Sequence, residues 1–257
     1  MNKNSNKYII IYSTVMVVIV ALVLAFASLS LQGKQDENVV VEKRGDILRS
    51  IGQAQEADKV KDKAQYIDQQ YARYIRESYV VDYRGYRVEG EDAFALLRGL
   101  KEEYDKPVEE RNLPVFVADV DGTELIVLPL WGKGLWGPVW GYVALEGDWS
   151  TVSGVVFDHQ GETPGLGAEI TDSKFRNQFV GKSIFKEGKL VSIAVLKGDG
   201  ISKDNPNAVD AVSGGTITSR GVGDMIKDSL GGYAALIEKQ HAAASAPASD
   251  TQTANID

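Results

Sequence analysis

The sequence predicts an α+β protein: one N-terminal transmembrane helix, then a single domain with a strongly bent, mainly antiparallel sheet and flanking helices. Three patterns point to it. Ile9 to Leu31 is an uncharged run of 23 residues rich in Ile, Val, Leu and Ala. Between Asp46 and Tyr104 apolar residues recur at helical spacing. From Leu113 onward they fall in short runs divided by turn residues, as strands do. Helical and strand patterns are segregated along the chain, which favours α+β over alternating βαβ units.

The apolar run would make a helix about 34 Å long, enough to cross a hydrocarbon core. Lys3 and Lys7 precede it, whereas Lys34 is closely followed by Asp36 and Glu37. This bias puts the N-terminus in the cytoplasm and the rest outside. A cleaved signal peptide is the competing reading, because Ala25-Phe26-Ala27 resembles a cleavage site. The run exceeds a usual signal-peptide apolar region and continues past that site, so an uncleaved anchor is favoured. The expected organisation is N-terminus and anchor (1–31), charged linker (32–45), extracytoplasmic domain (46–240) and a disordered Ala/Ser/Thr/Pro-rich tail (241–257).

Within the domain, helices are expected over 46–55, 59–79 and 91–104, their Tyr-rich faces reading as core. PVFVADV, Asp121-Gly122 and TELIVLPL form a hairpin signal. Strands follow at 139–145, 150–157 and 190–196, with a helix at 171–180 between the last two. A final helix is expected from about Ser219 to Gln240, with Gly231-Gly232 as the place where it breaks or bends.

Composition narrows the chemistry. Beyond residue 31 the chain holds 26 basic and 36 acidic residues, a net charge of −10. Such a body is unsuited to nucleic acid, which requires clustered cations. With no cysteine, disulfides, iron–sulfur clusters and thiolate metal sites are excluded. A His-rich metal site or a Ser-His-Asp hydrolase would rest on His159 alone, since His241 lies in the tail. Neither a catalytic residue nor a metal site is expected.

The most informative segment is DAVSGGTITS, Asp210 to Ser219. Its hydroxyls, Ser213, Thr216, Thr218 and Ser219, surround Gly214 and Gly215 just before a helix. The glycines allow close backbone approach, and the first helical N–H groups suit a phosphate. An ordinary N-cap turn has the same composition. DAVSGGT resembles the acceptor motif of proteins that carry FMN esterified through its phosphate to the last Thr, here Thr216; Gly215 replaces the usual Ala. KGLWGPVWGYVAL (133–145) and HQGETPGLGAEI (159–170) match the same family. Together the blocks resemble the C subunit of sodium-translocating NADH:quinone oxidoreductases, with the G subunit of Rnf-type complexes as a related alternative.

The resemblance implies one covalent FMN per chain, attached by a separate flavin transferase, and electron relay among the other subunits of a membrane complex. It assigns Leu135 and Trp136 to an apolar wall against the ring and Glu162 and Thr163 to polar contacts. Leu166 would add packing. By its charge Lys133 is read either as a stabiliser of the anionic reduced ring or as a solvated surface lysine. Ser213, Thr218 and Ser219 would donate hydrogen bonds to the phosphate. Two further readings stay open on the residues alone: an anchored domain that binds flavin noncovalently, and one that binds none.

Overall fold

The computed structural model describes residues 6–198 and 200–245. The expected disorder of 246–257 lies outside these residues. Helix α1 (Asn6–Ser50) contains the whole apolar run and is long and apolar enough to cross a membrane. The helix continues through 32–45, the charged stretch read as a linker. The chain divides into two compact units, 1–43 and 44–257. In the second, the last turn of α1 belongs to the core, with Ile47, Leu48 and Ser50 buried.

Helix α2 (Lys63–Tyr74) is capped by Asp62, whose carboxylate accepts from the Gln65 amide at 3.0 Å. It ends earlier than expected: Ile75–Asp82 is strand β1, which replaces the helix predicted to Tyr79. The β-branched and aromatic residues there pair antiparallel with the next strand, a tertiary contact that overrides the local helical period. Likewise Gly99 divides the helix expected over 91–104 into α3 (Ala93–Arg98) and α4 (Leu100–Tyr104).

Four strands complete a five-stranded antiparallel meander in chain order: β2 (Asn112–Val120), β3 (Thr123–Lys133), β4 (Pro138–Glu146) and β5 (Val152–His159). The β2–β3 turn is the predicted Asp121-Gly122, with both φ values positive (53° and 86°). That geometry matches the twist of a two-residue hairpin. After β5 the chain becomes irregular, and the helix expected over 171–180 is only α5 (Ser173–Arg176) flanked by single 3-10 turns.

The strand predicted over 190–196 is also corrected. Its ends belong to two different pairs: β6 (Phe185–Lys186) with β7 (Lys189–Leu190), and β8 (Ala194–Leu196) parallel to β9 (Ala208–Asp210). Between them Ser192 has a φ of +67°, which breaks the extended run. Helix α6 (Thr216–Gly232) packs over β3, where Gly221 brings its backbone against the Lys133 carbonyl. It stops at Gly232, and α7 (Ala234–Ser245) follows. Residues 241–245, expected in a disordered tail, are helical, and His241 stacks on Phe185 with ring centroids 4.1 Å apart.

Candidate functional site

Three connections meet at the N-terminus of α6. The first, residues 134–137 between β3 and β4, is closed by the Gly134 amide donating to the Gly137 carbonyl at 2.8 Å. This tight turn leaves Leu135 and Trp136 exposed, the latter to 69%. The second, after β5, folds back on itself: the Leu166 and Ala168 amides both donate to the Thr163 carbonyl at 3.1 Å. The third carries the acceptor motif. There Gly214, with a φ of +76°, turns the chain, and the Gly215 amide donates to the Val212 carbonyl at 3.0 Å.

The buried carboxylate of Glu162 ties these connections together. It is 4% exposed. Its Oε1 accepts from the Trp136 amide at 2.9 Å, and its Oε2 accepts from the Thr218 hydroxyl at 2.6 Å. The Glu162 amide itself donates to His159 Nδ1 at 3.2 Å. Two motif glycines make room for this. A Cβ at Gly134 would strike Glu162 Oε1, and one at Gly167 would meet both Glu162 Oε2 and Thr218 Oγ1. Burial alone would raise the pKa of Glu162. The Thr218 hydroxyl and the Trp136 and Leu135 amides outweigh it and hold the carboxyl below its ordinary value.

Two clefts adjoin Thr216, the first residue of α6. One, of about 380 Å³, is lined by Leu135, Trp136, Glu162, Thr163, Leu166 and Ile217 among others. The other, of about 610 Å³, is lined by Lys174, Phe175, Gln178, Lys197, Asp210 and Ser213 among others. The smaller cleft has an apolar rim, with Ile217 61% exposed beside Leu135, Trp136 and Leu166.

A flavin phosphate fits the helix end. Gly215, the N-cap, has no side chain to accept a hydrogen bond. Among the described residues, the amides of Thr216, Ile217 and Thr218 find no protein acceptor. Three unengaged N–H groups at the positive end of a 17-residue helix suit an anion beside the Thr216 hydroxyl. The rim supplies the apolar surface that an isoalloxazine ring needs.

The structure gives several of the expected site residues partners within the protein. Ser219 is fully buried, and its hydroxyl accepts from the Val212 amide at 3.0 Å, bracing the acceptor loop. The Thr218 hydroxyl is committed to Glu162. The Thr218 proton is thus spent on Glu162, whereas Ser219 serves the loop as an acceptor and is enclosed by protein. Glu162 is engaged by the protein itself, although it does line the smaller cleft. Lys133 is exposed at the end of β3 and lines neither cleft, and Ser213 lines only the larger one. Asp210, the one carboxylate in the motif, accepts from the Gly200 amide at 2.7 Å and the Ser202 amide at 3.0 Å. Burial opposes its ionisation, yet these bonds hold its pKa below the ordinary value, so it is a poor base.

Sequence reasoning missed Ile217 and Gln178. Gln178 grips the Asp210 backbone at both ends, accepting from its amide at 2.9 Å and donating to its carbonyl at 3.3 Å. Ile217 could have been found as the apolar residue inside the hydroxyl cluster. Nothing local marks Gln178.

The FMN-binding domain family matches residues 134–231, the stretch that contains all three connections. The C subunit of the Na+-translocating NADH-quinone reductase of Vibrio vulnificus is 32% identical, covering 79% of this chain and 82% of its own length. The chain belongs to this C-subunit family. The crystal structure of the C subunit from Parabacteroides distasonis superposes with a TM-score of 0.68 at 42% identity, covering 80% of this chain and 96% of that one. The Shewanella oneidensis NqrC structure gives 0.62 at 27% identity, covering 78% and 99%.

Proposed function

We propose that this chain carries one FMN, esterified through its phosphate to Thr216, and relays electrons within a Na+-translocating NADH-quinone reductase. The observation that carries the reading is the uncapped N-terminus of α6, with a hydroxyl on its first residue and an apolar-rimmed cleft beside it. Membership of the C-subunit family and the FMN-binding match support it.

On this reading the amides of Thr216 and Ile217 hold the phosphate oxygens. Leu135, Trp136, Leu166 and Ile217 shield the ring from water, and Thr163 meets its polar edge. Bound there, FMN supplies a centre that accepts and donates electrons singly or in pairs. Thr216 has no free base beside it in the motif, because both carboxylate oxygens of Asp210 are occupied. A threonine hydroxyl needs activation to attack phosphorus, so a separate flavin transferase is the expected source of the ester. NADH oxidation, quinone reduction and sodium movement belong to other subunits. The helix over 9–31 carries no charge and lacks the residues of an ion pathway.

The domain is assigned to the extracytoplasmic side, with the N-terminus in the cytoplasm, by the flanking charges. Covalent attachment suits that side, where free FMN is dilute and mass action would empty a reversible site. Acid precipitation of the chain, matured in cells that contain the transferase, tests the proposal. A yellow pellet whose flavinyl peptide contains Thr216 is expected. Flavin in the supernatant, or a colourless protein, overturns it.

A further inference from the structure

The Glu162 carboxylate is built into the site more tightly than a ligand contact requires. Its oxygens take the Trp136 amide and the Thr218 hydroxyl at 2.9 and 2.6 Å, and Gly134 and Gly167 close around it. Each partner comes from a different connection: Trp136 from the β3–β4 turn, Thr218 from the first turn of α6, and Glu162 itself from the loop after β5. All three are irregular or terminal segments. Removing the carboxylate would leave the Thr218 hydroxyl without its partner in a buried setting, which is costly. The residue also lines the smaller cleft, so its charge lies in the wall of the space assigned to the ring.

From this geometry we infer that Glu162 is a positioning residue with a second, electrostatic role: it holds the cleft walls together, and its negative charge lowers the reduction potential of the flavin beside it. The inference rests on the reading that FMN occupies this cleft. When an electron passes from a donor centre to the ring, the donor is oxidised, the ring is reduced and no bond breaks. The ring gains one negative charge. A buried carboxylate nearby repels that charge, and the low effective dielectric of about 20 strengthens the repulsion relative to water. None of the salt bridges among the described residues involves Glu162; the titratable group beside it is the His159 imidazole, whose Nδ1 accepts from the Glu162 amide at 3.2 Å.

Two substitutions separate the roles. In Glu162→Gln the amide oxygen still accepts from the backbone, and its NH2 donates to a rotated Thr218 hydroxyl. The walls are kept and the charge is lost. In Glu162→Ala both are lost. Full-length chains matured with the transferase would first be weighed intact to establish FMN attachment. Potentiometric titration of the flavin-loaded protein should then show reduction of E162Q favoured by about tenfold, about 59 mV for one electron. Hydrogen exchange, read on chains made without the transferase, should show the Leu135 and Trp136 amides less protected in E162A than in E162Q.

An E162Q potential equal to that of the wild type overturns the electrostatic role. Unchanged protection in E162A overturns the positioning role. If E162A does not fold, T218V removes one bond and keeps the charge: it should expose the same amides without moving the potential, and the opposite pattern counts against the inference. The exchange measurement requires no flavin. A wild-type chain lacking the ester therefore sinks the attachment reading, while exchange still decides what Glu162 does.

Discussion

Thr216 stands between two clefts of unlike chemistry. The larger, about 610 Å³, holds Lys174 and Lys197 together with carboxylates that already serve the protein's own loops: Asp210 on 200–202 and Glu169 on the Gly165 amide. The smaller, about 380 Å³, has exposed apolar side chains at its rim and a buried, fully bonded carboxylate in its wall. Size alone would choose the first. A flat, largely apolar ring is served by the second, because removing apolar surface from water is what stabilises it there. A site is recognised by what its groups leave unsatisfied: here, apolar rim atoms exposed to water and helix amides without acceptors.

Removing the hydroxyl of the residue that both clefts share has the largest expected effect. Thr216→Val keeps the branched shape and should lose FMN attachment completely, read by intact mass, with urea denaturation unchanged. Attachment in that variant would place the ester elsewhere.

Next in size is the packing around the smaller cleft. Gly167→Ala pushes a methyl group into Glu162 and Thr218. It should destabilise the chain by about 2 kcal/mol, as overpacking typically does. Gly161→Ala, with open space around it, is the matched control. Equal stability of the two would mean that the carboxylate is not tightly enclosed.

Acidification should weaken the same wall. Because its bonds hold the folded-state pKa of Glu162 below the ordinary 4.5, the stabilisation from the ionised carboxylate is complete above 4.5 and is lost as pH falls through the folded value. The stability difference between wild type and E162Q should therefore shrink as pH drops below 4.5, a trend readable from urea midpoints across the range. A difference independent of pH would exclude ionised Glu162 as its source.

The smallest expected effect discriminates the clefts most directly. Trp136→Ala and Lys197→Ala both alter exposed side chains, so each should change stability by less than about 0.5 kcal/mol. Only W136A should alter the visible circular dichroism of the attached flavin. A response to K197A alone would move the ring to the larger cleft.

Much of this protein could be read without coordinates where the physics is local. The hairpin at Asp121-Gly122 was legible because a two-residue turn demands positive φ, which Gly supplies at no steric cost. The break after Gly231-Gly232 was legible for a related reason, the weak helical propensity of glycine. Strand β1 was not, since Ile75 to Tyr79 continue a helical apolar period and only pairing with β2 makes them extended. The stretch 190–196 misled in the opposite sense: a run apolar except at Ser192 hid the left-handed conformation of that serine and two different pairing partners.

Local patterns are enough to specify the apolar helix, the broad order of helices and strands, and the three blocks that mark the C-subunit family. These depend on hydrophobic period, turn chemistry and short motifs, all properties of neighbouring residues. Packing of distant segments settles that Thr218, Ser219 and Asp210 spend their oxygens on the protein and that Glu162 bonds to partners 26 and 56 residues away in the chain. Which donor meets which acceptor depends on how the meander and α6 pack, and no local pattern encodes that.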